Sequence, residues 1–180
     1  MSVDINKPHL IVLAEDDANR QLARAFLLEI RERMPDPRQI EVLQKRTRKP
    51  PKDGWKKTVD EKFFEDQVPV MRQYPHQRVL LLIDFDEKTD DHNRREYTSR
   101  QLSERKLEKL RDRVFILGVW SEPEQLKQNL GQSFEKIGKS LAQACMNDDN
   151  ELWQHELLEH NLAEIKRMKP SVNSLLGIRA

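Results

Sequence analysis

The chain alternates short, wholly apolar runs with longer stretches in which apolar residues recur at helical spacing. Three runs stand out: His9 to Ala14 (HLIVLA), Arg78 to Phe85 (RVLLLIDF) and Arg113 to Trp120 (RVFILGVW). Continuous hydrophobicity of this length is what a strand covered on both faces requires, as in a parallel sheet. A weaker run, Ile40 to Leu43 (IEVL), predicts a further strand. Between the runs the period lengthens. Ala18, Leu22, Phe26 and Ile30 recur at four-residue spacing, widened by Leu27 and Met34, and predict a helix. Val59, Phe63, Phe64, Val68 and Met71 predict a second, which Pro69 would kink or end. Residues 93–112 predict a charged helix with Leu102, Leu107 and Leu110 as a thin apolar face. The order β-α-β-α-β-α-β predicts an α/β fold, with a mostly parallel four-stranded sheet and helices on both faces.

Beyond Trp120 the pattern is helical. Ser121 is a candidate N-cap, with Pro123 in the first turn and Glu122 and Glu124 near the positive end of the dipole. Phe134, Ile137, Leu141 and Cys145 form one apolar stripe. Leu152, Leu158, Leu162 and Ile165 form another, on a helix expected from about Asp149 until Pro170 ends it. A short apolar segment, Leu175 to Ile178, would dock on the fold or bind a protein partner. The expected organisation is an α/β domain over residues 1–125, with a helical C-terminal extension over 126–180 packed on the same domain.

Composition narrows the function. With 32 Lys and Arg against 31 Asp and Glu, the net charge of +1 excludes a bulk polycation, so any nucleic-acid binding must come from a local patch. The single cysteine, Cys145, excludes a disulfide framework and Cys-cluster zinc sites, and on its apolar stripe it reads as an inert thiol. No apolar stretch is long enough to span a membrane, and the opening residues lack a signal peptide's apolar core, so a soluble cytoplasmic protein is expected. There is no Walker loop, GxGxxG or GxSxG, so an ATPase or dinucleotide enzyme is not expected.

Charge is segregated along this near-neutral chain. Residues 45–57 (KRTRKPPKDGWKK) hold seven Lys or Arg against one Asp, and residues 84–91 (DFDEKTDD) hold five carboxylates against one Lys. The first strand runs into Glu15-Asp16-Asp17, and the third ends Ile83-Asp84-Phe85-Asp86. Side chains two apart on an extended chain share a face, so Asp84 and Asp86 can aim together while Phe85 packs behind. Open α/β sheets bind ligands outside the carboxyl ends of their strands. If the first and third strands are neighbours, Glu15 reaches the same space. Three converging carboxylates raise one another's pKa values unless a cation neutralises them, and hard oxygen donors suit Mg²⁺ or Mn²⁺. Asp16 or Asp17 can equally serve only to cap the first helix.

A strand ending in Glu, followed much later by a strand ending in DxD, resembles the Toprim domain of topoisomerases, bacterial primases, small nucleases and OLD-family nucleases. The resemblance covers about residues 8–125. It implies a Toprim-like, Rossmann-like α/β fold in which Glu15 serves in acid/base chemistry or metal binding and Asp84 and Asp86 coordinate Mg²⁺. OLD-type members add Ser-x-x-Glu after the next strand, which here is Ser121-Glu122-Pro123-Glu124 and would put Glu124 at a second ion. Two positions depart from the pattern. Asp16 stands where a glycine commonly follows the family's Glu, and Asn19 stands where OLD-type members often carry a second acid. A second resemblance, to response-regulator receiver domains, rests on VLAEDDANRQLARAFL. Against it, the 69 residues from Glu15 to Asp84 are too many, and no Lys followed by Pro closes the site after a later strand.

In the basic segment Lys45, Arg46, Arg48, Lys49, Lys52, Lys56 and Lys57 are candidate phosphate contacts, and Trp55 could stack on an unpaired base. A flexible solvated loop balancing the acidic one accounts for the same residues. His92 follows the acidic segment as a possible proton carrier or a surface histidine. His155 and His160 lie five apart on a predicted helix, which is not zinc-pair spacing, while Trp120 and Trp153 read as packing residues. The expectation is metal-dependent phosphodiester chemistry on DNA or RNA, with a possible ATPase partner. The alternative is a non-enzymatic interaction or signalling module.

Overall fold

The computed structural model describes residues 4, 6–32, 39–42, 54–85, 94–147, 149 and 151–176, with side chains to residue 171. Strands β1 (His9–Ala14), β2 (Ile40–Val42), β3 (Gln77–Leu82) and β4 (Val114–Leu117) form one all-parallel sheet in the order β2-β1-β3-β4. The fold is therefore α/β, with helices on both sheet faces and at the C-terminal end. Both faces are buried, so alternate residues of each run enter opposite layers. Ile11, Leu13, Val79, Leu81 and Ile116 meet Val59, Phe63, Met71, Leu102 and Leu110 on one side. Leu10, Val12, Leu80 and Phe115 meet Ala23, Leu27, Ile30 and Ala142 on the other. Two buried faces explain why these runs show no polar alternation.

On the second face α1 (Asp17–Arg31) starts at Asp16, whose side chain accepts the Asn19 N–H at 2.8 Å. α6 (Phe134–Asn147) packs along α1 at Gly138, where a Cβ would stand 2.6 Å from the Leu22 carbonyl oxygen. The first face is covered by α2 (Gly54–Lys57), a π-helical stretch (Thr58–Gln67) and α3 (Val68–Gln73) in succession. Pro69 does not end this segment. The widened turns reset the register just before it, so its missing N–H falls in the first turn of α3, where an α-helix needs no donor. The helix expected over 93–112 is divided. α4 (Arg94–Glu104) stops before Lys106, whose φ of 55° is left-handed, and a 3₁₀ turn (Glu108–Arg113) presents Leu110 to the core.

The C-terminal part differs from expectation in three places. α5 (Pro123–Leu130) has Glu122 at its N-cap position, because Ser121 takes a left-handed φ of 69° and lies outside the helix. The helix expected from Asp149 is replaced by two 3₁₀ turns, Leu152–Gln154 and Glu159–Asn161. Trp153, Leu157 and Leu158 are buried in this turn region. α7 (Leu162–Leu176) then runs past Pro170, an exposed position where the carbonyl left without a donor faces water.

α7 lies along the outer edge of β4 and satisfies its backbone with side chains. Asn161, just before the helix, donates to the Gly118 carbonyl at 2.7 Å and accepts the Gly118 N–H at 3.1 Å. Glu164 accepts the Ile116 N–H at 2.9 Å, and Arg167 donates to the Val114 carbonyl. No helix of the described residues is long and apolar enough to cross a membrane.

Gly118 follows β4 where the chain presses on β3, and a Cβ there would stand 1.7 Å from the Ile83 carbonyl oxygen. Gly131 needs glycine for its φ of 59° alone and has open space around it. Gly118→Ala is therefore expected to cost about 3 kcal/mol, near the upper end of overpacking effects. Gly131→Ala should cost roughly 1 kcal/mol for its left-handed backbone. Urea unfolding of both variants checks the order, and equal losses would contradict the close approach at Gly118.

Candidate acidic site at the strand ends

The pairing of β1 with β3 continues one residue past the strands, where the Glu15 N–H donates to the Leu82 carbonyl at 2.9 Å. The Glu15 side chain turns toward β3, and its Oε2 accepts the Asp84 N–H at 3.0 Å. Asp84 is buried, and its Oδ1 accepts from Asn19 Nδ2 at 2.9 Å. The same Asn19 amide donates to Asp16 Oδ1 at 3.1 Å. Where a second acid would repel Asp84, this chain supplies a donor to it.

A cation is built into the cluster. Arg94, the first residue of α4, places Nη1 3.2 Å from Glu15 Oε2 and also donates to the Asp84 carbonyl. Its guanidinium lies 5.2 Å from the centre of the Trp55 ring, which meets Tyr97 edge-on at 5.2 Å. The Trp55 backbone lies close enough to the Glu15 carboxylate to favour its charged form. The end of the basic segment therefore stands against the acidic site, with the Trp55 ring engaged inside the fold. Lys56 lies 5.9 Å from the Tyr97 ring centre, and Lys57 pairs with Glu61 at 4.0 Å.

Burial pushes the Asp84 carboxyl up to about 7, and the charges of Glu15 and Asp16 add to the rise against the Asn19 hydrogen bond and Arg94. Glu15 is raised as well, chiefly by burial, with the Asp84 N–H and Arg94 opposing. Both groups would ionise more readily beside a further cation. Their chemistry fits Mg²⁺ or Mn²⁺, since Mg²⁺ is commonly held by one or two carboxylates with water and phosphate oxygens filling the remaining positions. Among the described residues no three His, Cys, Asp or Glu side chains converge as a metal-binding group.

Of the other residues expected at the site, Asp86, Lys45, Arg46, Arg48, Lys49, Lys52 and His92 lie outside the described residues. Phe85 is buried, and its carbonyl accepts the Ser121 N–H at 2.8 Å, which brings the SEPE segment beside the end of β3. Glu124 is exposed on the first turn of α5. His155 and His160 lie in the 3₁₀ region, not on a helix. His160 packs between Phe85 and Trp120, and burial with the nearby Arg95 charge lowers it to about 4, so it is neutral at pH 7.

Arg94 belongs to the site although the strand-end carboxylates in the sequence do not point to it. The available signal was the pair Arg94-Arg95 opening a helix, where positive charge opposes the dipole and calls for a compensating partner. The chain matches no protein-family model, and no curated protein is significantly similar to it.

Asp84 holds a proton more tightly in the folded chain, at about 7, than at its ordinary value of 3.8. Its favourable contribution is complete below pH 3.8 and is lost as the pH rises through 7. In chelator-treated protein, the stability of wild type relative to Asp84→Asn should fall from pH 4 to pH 8. Urea unfolding across that range is the measurement, and a flat difference would mean that Asp84 is solvated.

Proposed function

We propose that this chain is a Toprim-like protein that uses Mg²⁺ or Mn²⁺ to act on a phosphodiester of nucleic acid. The observation that carries the reading is the meeting of Glu15 and Asp84 at the carboxyl ends of adjacent parallel strands, both with raised pKa values. Asp84 would hold the ion together with Asp86, and Glu15 would complete its shell or take a proton from water. Glu124 would support a second ion from the SEPE segment. The ion supplies charge stabilisation at the phosphate oxygens when bound. Arg94 keeps the Glu15 carboxylate aimed across the strand gap, and Asn19 fixes the rotamer of Asp84.

The basic residues Lys45 to Lys57 would neutralise the backbone of DNA or RNA beside an acidic centre that would otherwise repel it. The position of Trp55 against Glu15 and Arg94 supports that placement for the end of the segment. With no Walker loop in the sequence, any motor step would come from a partner ATPase, for which the C-terminal helices offer a contact surface.

Purified protein incubated with single- and double-stranded DNA and RNA and Mn²⁺ should cleave at least one of them. Glu15→Gln and Asp84→Asn should each lower the rate by at least about a hundredfold while leaving the circular dichroism unchanged. Cleavage that survives both substitutions refutes the assignment. No cleavage, together with no calorimetric Mn²⁺ binding, would instead favour a non-enzymatic interaction module.

A further inference from the structure

Two arginines open α4, and they have different surroundings. Arg95 donates to Asn161 Oδ1 at 2.9 Å and lies 4.8 Å from the centre of the Phe85 ring, so it belongs to the packing beside β4. Arg94 faces the acidic site. Its Nη1 reaches Glu15 Oε2 at 3.2 Å, and the two side chains are only 8% and 13% exposed, so salt screens the pair little. The same guanidinium donates to the Asp84 carbonyl and stacks on Trp55. Glu15 Oε2 has a second donor in the Asp84 N–H at 3.0 Å, which is fixed in the backbone after β3. The carboxylate therefore keeps its aim when the guanidinium turns away. The guanidinium in turn keeps Trp55 and the Asp84 carbonyl when it leaves the carboxylate. Their contact can be exchanged without dismantling either anchor.

We propose that Arg94 is the resident counter-ion of Glu15 in the metal-free protein, and that Mn²⁺ or Mg²⁺ binds by displacing it from that carboxylate. The proposal rests on the metal-binding reading of this site and adds what controls entry of the ion. A buried carboxylate stripped of its cation is costly, so Glu15 is paired either with Arg94 or with the ion. Two cations on one buried carboxylate repel each other, which makes these partners alternatives. Arg94 consequently weakens metal binding. A residue that served only to aim Glu15 would strengthen it.

Calorimetric titration with Mn²⁺ separates the two roles by sign. Arg94→Gln should tighten Mn²⁺ about tenfold, because a charge beside a carboxylate commonly changes its proton affinity by at least that factor. Binding by Arg94→Gln where the wild type shows none supports the proposal equally. Arg95→Gln removes the same charge from the same turn and should leave Mn²⁺ affinity unchanged. Unchanged or weaker binding by Arg94→Gln overturns the proposal while leaving the metal site standing, as does equal tightening by Arg95→Gln. Absence of Mn²⁺ binding in both the wild type and Arg94→Gln refutes the metal reading itself, and the proposal with it. Should circular dichroism show Arg94→Gln unfolded, recovery of the fold on adding Mn²⁺ supports the exchange, because the ion then stands in for the guanidinium. A variant that stays unfolded with Mn²⁺ overturns it.

Discussion

Parallel pairing of β1 with β3 runs unbroken from His9 opposite Gln77 to Ala14 opposite Leu82, then carries on through the Glu15 N–H to the Leu82 carbonyl. That register decides which side chains meet at the strand ends. Shifting it by one residue would turn Leu10 and Val12 to the wrong helix layer and separate Glu15 from the Asp84 N–H. The hydrophobic layers on both faces therefore hold in place a polar arrangement that has little stability of its own. Burial makes ionising Asp84 costly, and the core around β3 keeps it there.

The cluster carries one compensating charge already. A buried ion pair such as Glu15–Arg94 gives little net stability, because both groups lose their water, but removing one partner leaves the other stranded. Arg94 thus fixes where the Glu15 carboxylate can point without silencing the acidity around Asp84. Its stacking on Trp55 joins that arrangement to the helical segment covering the first face, so the acidic site is braced from three directions in the chain.

The sheet was legible because a strand buried on both faces leaves an apolar run that no helix period mimics, as in RVLLLIDF. Glu15 and Asp84 were legible because carboxylates directly after such runs must sit at the sheet's ligand-binding end. What failed were local signals overridden by packing. Pro170 reads as a helix stop, yet its lost hydrogen bond faces solvent and the helix continues. Ser121 reads as an N-cap, yet the bond from its N–H to Phe85 holds it in a left-handed turn one residue too early. The Arg94-Arg95 pair signals only that a compensating partner is needed, because the partners of Arg94 lie 79 and 10 residues away and no local pattern specifies them.

The edge of β4 is closed by three side chains from one short stretch, and Asn161 offers Gly118 both a donor and an acceptor, as a residue of a neighbouring strand would. The sheet thus ends against an imitation of its own backbone. An edge sealed by side chains can open when a helix frays, whereas one sealed by a strand opens only when the sheet itself comes apart. Partial unfolding that begins at α7 would uncover the β4 edge as a template for intermolecular strand addition, so this helix guards that edge against self-association.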